Sequence, residues 1–292
     1  MDDRRRPATS LTKILGWLIS LLAIGFLFRW ISGLGSDVWT TIADLDAGYV
    51  VISLVLFLPF FGFRALAWER ISDHAGASGS RWPRWRTWAL SELARYIPGN
   101  VLSLAVRYRG ARTSGADRPR SILALIVEAL ALVGGAGLVA SFTLPIGWYA
   151  MGAIAVTAVA MLGIWLSPHF IRRWRPEAAN EPRPPVVPLL LMDTLAWMFY
   201  GFASATLWLA FPASDAMSFS TAMGVSVAAW MLGYLSIITP MGLGVREVAF
   251  VALVPAALGA ELASLVAIVT RLGMAVAEVI FFGIVSWLGR RS

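Results

Sequence analysis

The chain has 292 residues, 58% of them hydrophobic and only 14% charged, with a mean hydropathy of +0.72, which excludes a water-soluble domain and identifies an integral membrane protein. Its formal charge of +7 comes almost wholly from arginines clustered between apolar runs, so it reports topology and not a nucleic-acid partner. The absence of cysteine excludes disulfides, iron–sulfur clusters and thiol chemistry.

Apolar segments of about 20 residues and their connections use nearly the whole length. A single polytopic membrane domain over 1–292, without an appended soluble domain, is the expectation. Arg4, Arg5 and Arg6 precede an apolar run, and no small-residue cleavage site follows Trp30, so Leu11 to Ile31 reads as a first anchor and not a signal peptide. Ala47 to Trp68 is the second span, and the loop between them has only Asp37, Asp44 and Asp46 as charges, which suits the outer face. An arginine-rich stretch to Arg120 follows and faces inward. Ser121 to Leu144 and Trp148 to Leu166 span again, separated by "PIG".

The proline-rich "SPHFIRRWRPEAANEPRPPVVP", with Arg172, Arg173, Arg175 and Arg183, reads as a cytoplasmic linker (168–186) between a first half, 1–167, and a second, 187–292. Leu189 to Phe211 spans outward, "PASDAMS" is an external loop, and the last span, Leu262 to Leu288, ends before Arg290 and Arg291. Both termini are therefore expected in the cytoplasm of a multi-pass cell-membrane protein.

Two elements depart from simple spans. A chain that is outside at Asp215 and again at Glu261 crosses an even number of times between them. Either Phe219 to Ile238 and Val245 to Leu258 are two full crossings, or they form a re-entrant hairpin turning at "TPMGLG". The second arm would rise only about 21 Å at about 1.5 Å per residue, short of a hydrocarbon core about 30 Å thick, which favours the hairpin. In the first half "SELARYIPGNVLSLAVRYRG" has two short arms broken at Pro98 and Gly99, entering from the opposite side. A rival reading makes "WALSELARYIPGNV" an amphipathic helix in the headgroup layer, with Glu92 and Arg95 paired one turn apart. The preferred reading is an all-α membrane protein of about six transmembrane helices plus two re-entrant helical hairpins in a loose inverted repeat, the pattern of many transporters. Irregular backbone at that depth requires protein or a water-filled cavity around it.

Charges inside apolar segments mark candidate sites. Arg271 and Glu278 are nearly two turns apart, hence on one helix face, and flank Gly273, Ala275 and Ala277, small residues that admit a close neighbour. Arg246 and Glu247 follow the broken "TPMGLG", and Glu128 lies about two turns into its span. Arg64 and Asp193, nearer the ends of their segments, read as snorkelling to the interface. Two arginines beside the N-terminus of a half-helix starting near Gly244 suit a phosphate, because free N–H groups and the guanidinium fork both favour an anion. Arg246 and Arg271 are the expected binders of a lipid headgroup, with Glu247 and Glu278 as counter-charges or proton carriers.

"YIPGN" with Arg107, and "TPMGLGVRE" from Thr239 to Glu247, resemble the two signature regions of the lysylphosphatidylglycerol synthase transmembrane-region family of flippase-like membrane proteins. The resemblance covers most of the chain. It implies roles for Pro98, Gly99 and Arg107 in the first motif, with Arg107 reaching the headgroup from the cytoplasmic side, and for Pro240, Gly242, Gly244, Arg246 and Glu247 in the second. Asn100 and Met241 depart from the usual form. The family resembles the translocating half of the multiple peptide resistance factor, so the implied function is movement of an anionic or aminoacylated phospholipid, or a polyprenyl-phosphate-linked lipid, between leaflets. No aminoacyl-transferase domain is expected after Ser292.

Membrane lipids are the expected partners, with a separate lipid-modifying enzyme as a further candidate, and no cofactor is expected. A rival is a membrane glycosyltransferase on a lipid-linked sugar, motivated by Asp44 and Asp46, and a second is a non-catalytic scaffold for a lipid synthase. His74 and His169 lie in separate segments and do not have zinc-site spacing.

Overall fold

The computed structural model describes residues 36–95, 101–145, 147–174, 184–212, 214–236, 242 and 244–291. Among these, all regular structure is helical: α1 (Ser36–Ala43), α2 (Ala47–His74), α3 (Arg81–Ala94), α4 (Val101–Thr113), α5 (Arg118–Thr143), α6 (Trp148–Trp174), α7 (Val186–Leu209), α8 (Phe219–Leu235), α9 (Val245–Leu253) and α10 (Ala260–Leu288). Five helices are long and apolar enough to cross a membrane, namely α2, α5, α6 over Tyr149–Ser167, α7 and α10. Their outward faces carry large exposed apolar side chains such as Val51, Val55, Met151, Val159, Val276 and Val279, as fits a multi-pass membrane protein.

Local chemistry sets the helix starts. Asp46 caps α2 by accepting from the Gly48 and Tyr49 N–H groups at 2.7 and 3.3 Å, Asp117 caps α5, and Ser218 caps α8. Pro255 holds Val254 in extended backbone and stops α9 at Leu253.

That stop makes the second arm shorter than its sequence pattern suggested: nine residues of helix, rising about 13 Å, and then a 3₁₀ turn at Ala256–Leu258. Similarly, α6 runs on through Pro168 to Trp174, so the front of the expected linker is helix. The expected first span, Leu11 to Ile31, lies outside the described residues.

The core forms where α2 packs along α7 and α5 packs between α6 and α7. Phe57, Phe60, Trp197 and Tyr200 are fully buried there, with ring centroids 5.2 to 5.6 Å apart. The "GGAG" run of α5 lets helices approach closely: a Cβ on Gly135 would stand 2.8 Å from the Asp193 carbonyl carbon, and one on Gly137 2.8 Å from the Ala153 carbonyl oxygen. The two broken elements become the helix pairs α3–α4 and α8–α9, and α10 lies against both α3 and α9.

Candidate functional site: a buried arginine–glutamate network

The α3–α4 pair carries Glu92, Arg95 and Arg107 against Arg64 of α2 and Glu128 of α5. Arg64 donates to Glu92 at 2.9 Å and to Glu128 at 3.5 Å. Arg107 donates to Glu128 at 2.7 Å and also to Glu92, while its Nε donates to the Ser91 hydroxyl at 2.7 Å. Each of these two arginines thus bonds both carboxylates. Arg95, just after α3, donates to Glu92 at 2.8 Å and reaches across to Glu278 of α10 at 3.0 Å.

Trp88 completes this arrangement. Its ring has the Arg64 and Arg107 guanidinium carbons 5.2 and 5.8 Å from its centroid, and its Nε1–H donates to Glu128 at 3.1 Å. Arg64, Glu92, Arg107 and Glu128 are all buried. Charges survive such burial only when paired and hydrogen-bonded on several sides, and the forked guanidinium shared between two carboxylates provides that.

A second cluster surrounds the start of α9. Gly244 is the residue before the helix, with φ +81°, and its N–H donates to Glu247 at 2.8 Å. The other Glu247 oxygen accepts from Arg271 at 2.6 Å. Arg246 turns the other way, donating to the Tyr200 hydroxyl with its guanidinium carbon 5.7 Å from the ring centroid. Gly242, with φ +66°, lies so close to α8 that a Cβ there would stand 2.4 Å from the Gly233 carbonyl oxygen.

Of the residues singled out in the sequence, Arg271 and Glu278 do share a face, and that face meets α9 through Glu247 and α3 through Arg95. Arg107 is 7% exposed, held between Glu92 and Glu128. Pro98, Gly99 and Pro240 lie outside the described residues. Gly273 opens no ligand space: a Cβ there would meet Phe57 at 3.6 Å.

The snorkelling reading of Arg64 and Asp193 is corrected. They are 3% and 1% exposed, because α3 and α5 cover the one and the Gly135 face of α5 covers the other. Sequence reasoning missed Tyr200, Trp88 and the reach of Glu92. A carboxylate inside the apolar "WALSELA" was the available signal for Glu92.

Three further observations bear on chemistry. Among the described residues, no group of three or more His, Asp or Glu side chains is placed to hold a metal. Asp46 is engaged in capping α2, and Asp44 is exposed. The carboxylates Glu92, Glu128, Glu247 and Glu278 each accept from an arginine, so the network is built for charge balance. Neither a scan against protein-family models nor a comparison with curated proteins yields a match to this chain.

Proposed function

We propose that this chain is a lipid translocase of the flippase-like kind, to which its two broken motifs are similar, and that it holds an anionic headgroup at Arg246 and Arg271 beside the first turn of α9. The observation that carries this reading is the pairing of Arg246. It is 8% exposed, yet its partner is the neutral hydroxyl of Tyr200, whereas Arg64, Arg95, Arg107 and Arg271 all bond carboxylates. Among the described residues, five arginines of the network therefore meet four glutamates, leaving one surplus positive charge at the end of a helix whose first N–H groups have no partner within the helix. A phosphate supplies the missing anion.

The topology that suits this reading has six spans, the first over Leu11 to Ile31, with both termini cytoplasmic. The pairs α3–α4 and α8–α9 are re-entrant from opposite faces. The shortness of α9 supports this, since about 13 Å of helix does not cross a core of about 30 Å. The exposed apolar faces of α2 and α10, helices that also carry Arg64, Arg271 and Glu278, suit acyl chains beside the polar network.

The test is mass spectrometry of lipids retained by purified wild type and Arg246→Ala, matched for expression and folding. Enrichment of one anionic lipid class on the wild type, lost from the variant, is expected. Profiles equal to the bulk membrane in both would defeat the reading.

A further inference from the structure

Asp193 is the acidic group that the network leaves out. It lies in α7, 1% exposed, and its Oδ2 is buried without a hydrogen-bond partner among the described residues. Gly135 of α5 closes over its backbone. The charged groups acting on it are Arg64 from α2, Glu128 from α5 and Arg107 from α4. From α8, Tyr234 acts on the same three residues, and from α10, Arg271 acts on Tyr200, two turns along α7. Arg64 and Arg107 are already bonded to both Glu92 and Glu128, so among the described residues no cation is bonded to Asp193. An ionised carboxylate that is buried and unmatched is strongly disfavoured, and such a group takes up a proton instead.

We propose that Asp193 is a proton-binding site coupled to the network through Arg64. The longest contact in the network, Arg64 to Glu128 at 3.5 Å, is the one that can be exchanged. In one state Asp193 is a neutral acid and Arg64 bonds Glu92 and Glu128. In the other, Asp193 has released its proton to water and the Arg64 guanidinium has left Glu128 to donate to the new carboxylate. Glu128 then keeps Arg107 and the Trp88 N–H. The proton is the only species gained or lost.

This exchange alters the charge available to a ligand. With Asp193 protonated the buried cluster carries one surplus positive charge, and with Asp193 ionised it is neutral. A proton and an anionic headgroup therefore enter together. That consequence rests on the translocase reading, whereas proton binding itself does not.

The test is labelling of the purified full chain in detergent with dicyclohexylcarbodiimide, which reacts with protonated carboxyl groups in apolar surroundings, followed by peptide mass spectrometry. The expected adduct is on Asp193, increases as the pH is lowered and is lost in Asp193→Asn, while Glu92 and Glu128 stay unmodified. Absence of an adduct on Asp193 at every pH overturns the proposal. As a second measurement, Asp193→Asn is expected to melt at or above the wild-type temperature at neutral pH. A lowered melting temperature there would make Asp193 an ionised partner of Arg64 and equally overturn it. Neither readout uses lipid, so failure here leaves the Arg246 site to its own test.

Discussion

Arg95 and Glu278, 183 positions apart in the chain, meet at 3.0 Å. This bond ties the α3–α4 pair to the face of α10 that also holds Arg271, and so joins the two clusters into one buried system. Arg95→Ala and Glu278→Gln are therefore expected not to act independently. A double-mutant cycle on thermal unfolding in detergent is expected to give a coupling of about 1–3 kcal/mol. Additive effects would mean that the two groups are satisfied separately.

Glu92 is the carboxylate with the most to hold, accepting from Arg64, Arg95 and Arg107. Replacing it by Gln leaves three guanidinium groups around a neutral amide. A loss of about 3–5 kcal/mol is expected, the scale for breaking a buried ion pair. Arg81→Gln serves as the comparison, because the exposed Arg81 meets Glu69 only at 3.6 Å and its loss should cost about 1 kcal/mol or less. Equal melting shifts for the two variants would contradict the geometry.

Gly135→Ala tests the closeness of α5 and α7. In an exposed helix the change would stabilise by about 1 kcal/mol, but here the new Cβ stands 2.8 Å from the Asp193 carbonyl carbon. Destabilisation of about 1–3 kcal/mol is expected from overpacking, read as a lowered melting temperature. Gly62→Ala, where a Cβ meets nothing within 4 Å, provides the reference and is expected to stabilise by about 1 kcal/mol.

The cysteine-free chain allows the surroundings of α9 to be mapped directly. Single cysteines at 245–248, assayed for trapping by a water-soluble maleimide, are expected to react where the first turn of α9 borders water. Complete protection at all four positions would leave no aqueous route to Arg246.

Tyr200→Phe removes the hydroxyl that partners Arg246 and keeps the ring beneath it. Retention of anionic lipid by the purified protein should persist or rise, since the guanidinium is freed, whereas Arg246→Ala loses it. Loss in both variants would assign Arg246 a structural part.

The spans were legible because hydropathy over about 20 residues depends on composition alone, which is why α2, α5, α7 and α10 stand close to where the sequence puts them. Local spacing also told the truth. Glu92 and Arg95 are three residues apart and bonded, and Arg271 and Glu278 share a face. What remained hidden was rotation about each helix axis. Arg64 and Asp193 sit where a snorkelling side chain would, and only the packing of α3 and α5 decides that they point inward. The partners of Glu92 stand 28, 3 and 15 positions away, and of these only the second follows from helix periodicity. Tyr200 gave no signal, since an aromatic residue in an apolar helix is ordinary core until an arginine arrives from α9. The α6 helix runs on through Pro168 to Trp174, past Leu166, where hydropathy ends its apolar span.

The network also orders the birth of the molecule. Three of its arginines, Arg64, Arg95 and Arg107, are made before α5 is complete, and only Glu92 and Glu128 are at hand to answer them. The third carboxylate, Glu278, arrives with α10, the last described helix. A nascent chain halted before that helix sets three guanidinium groups against two carboxylates among apolar segments, and such a surplus charge is costly there. The charge balance of the early helices is thus completed by a carboxylate from the last described one.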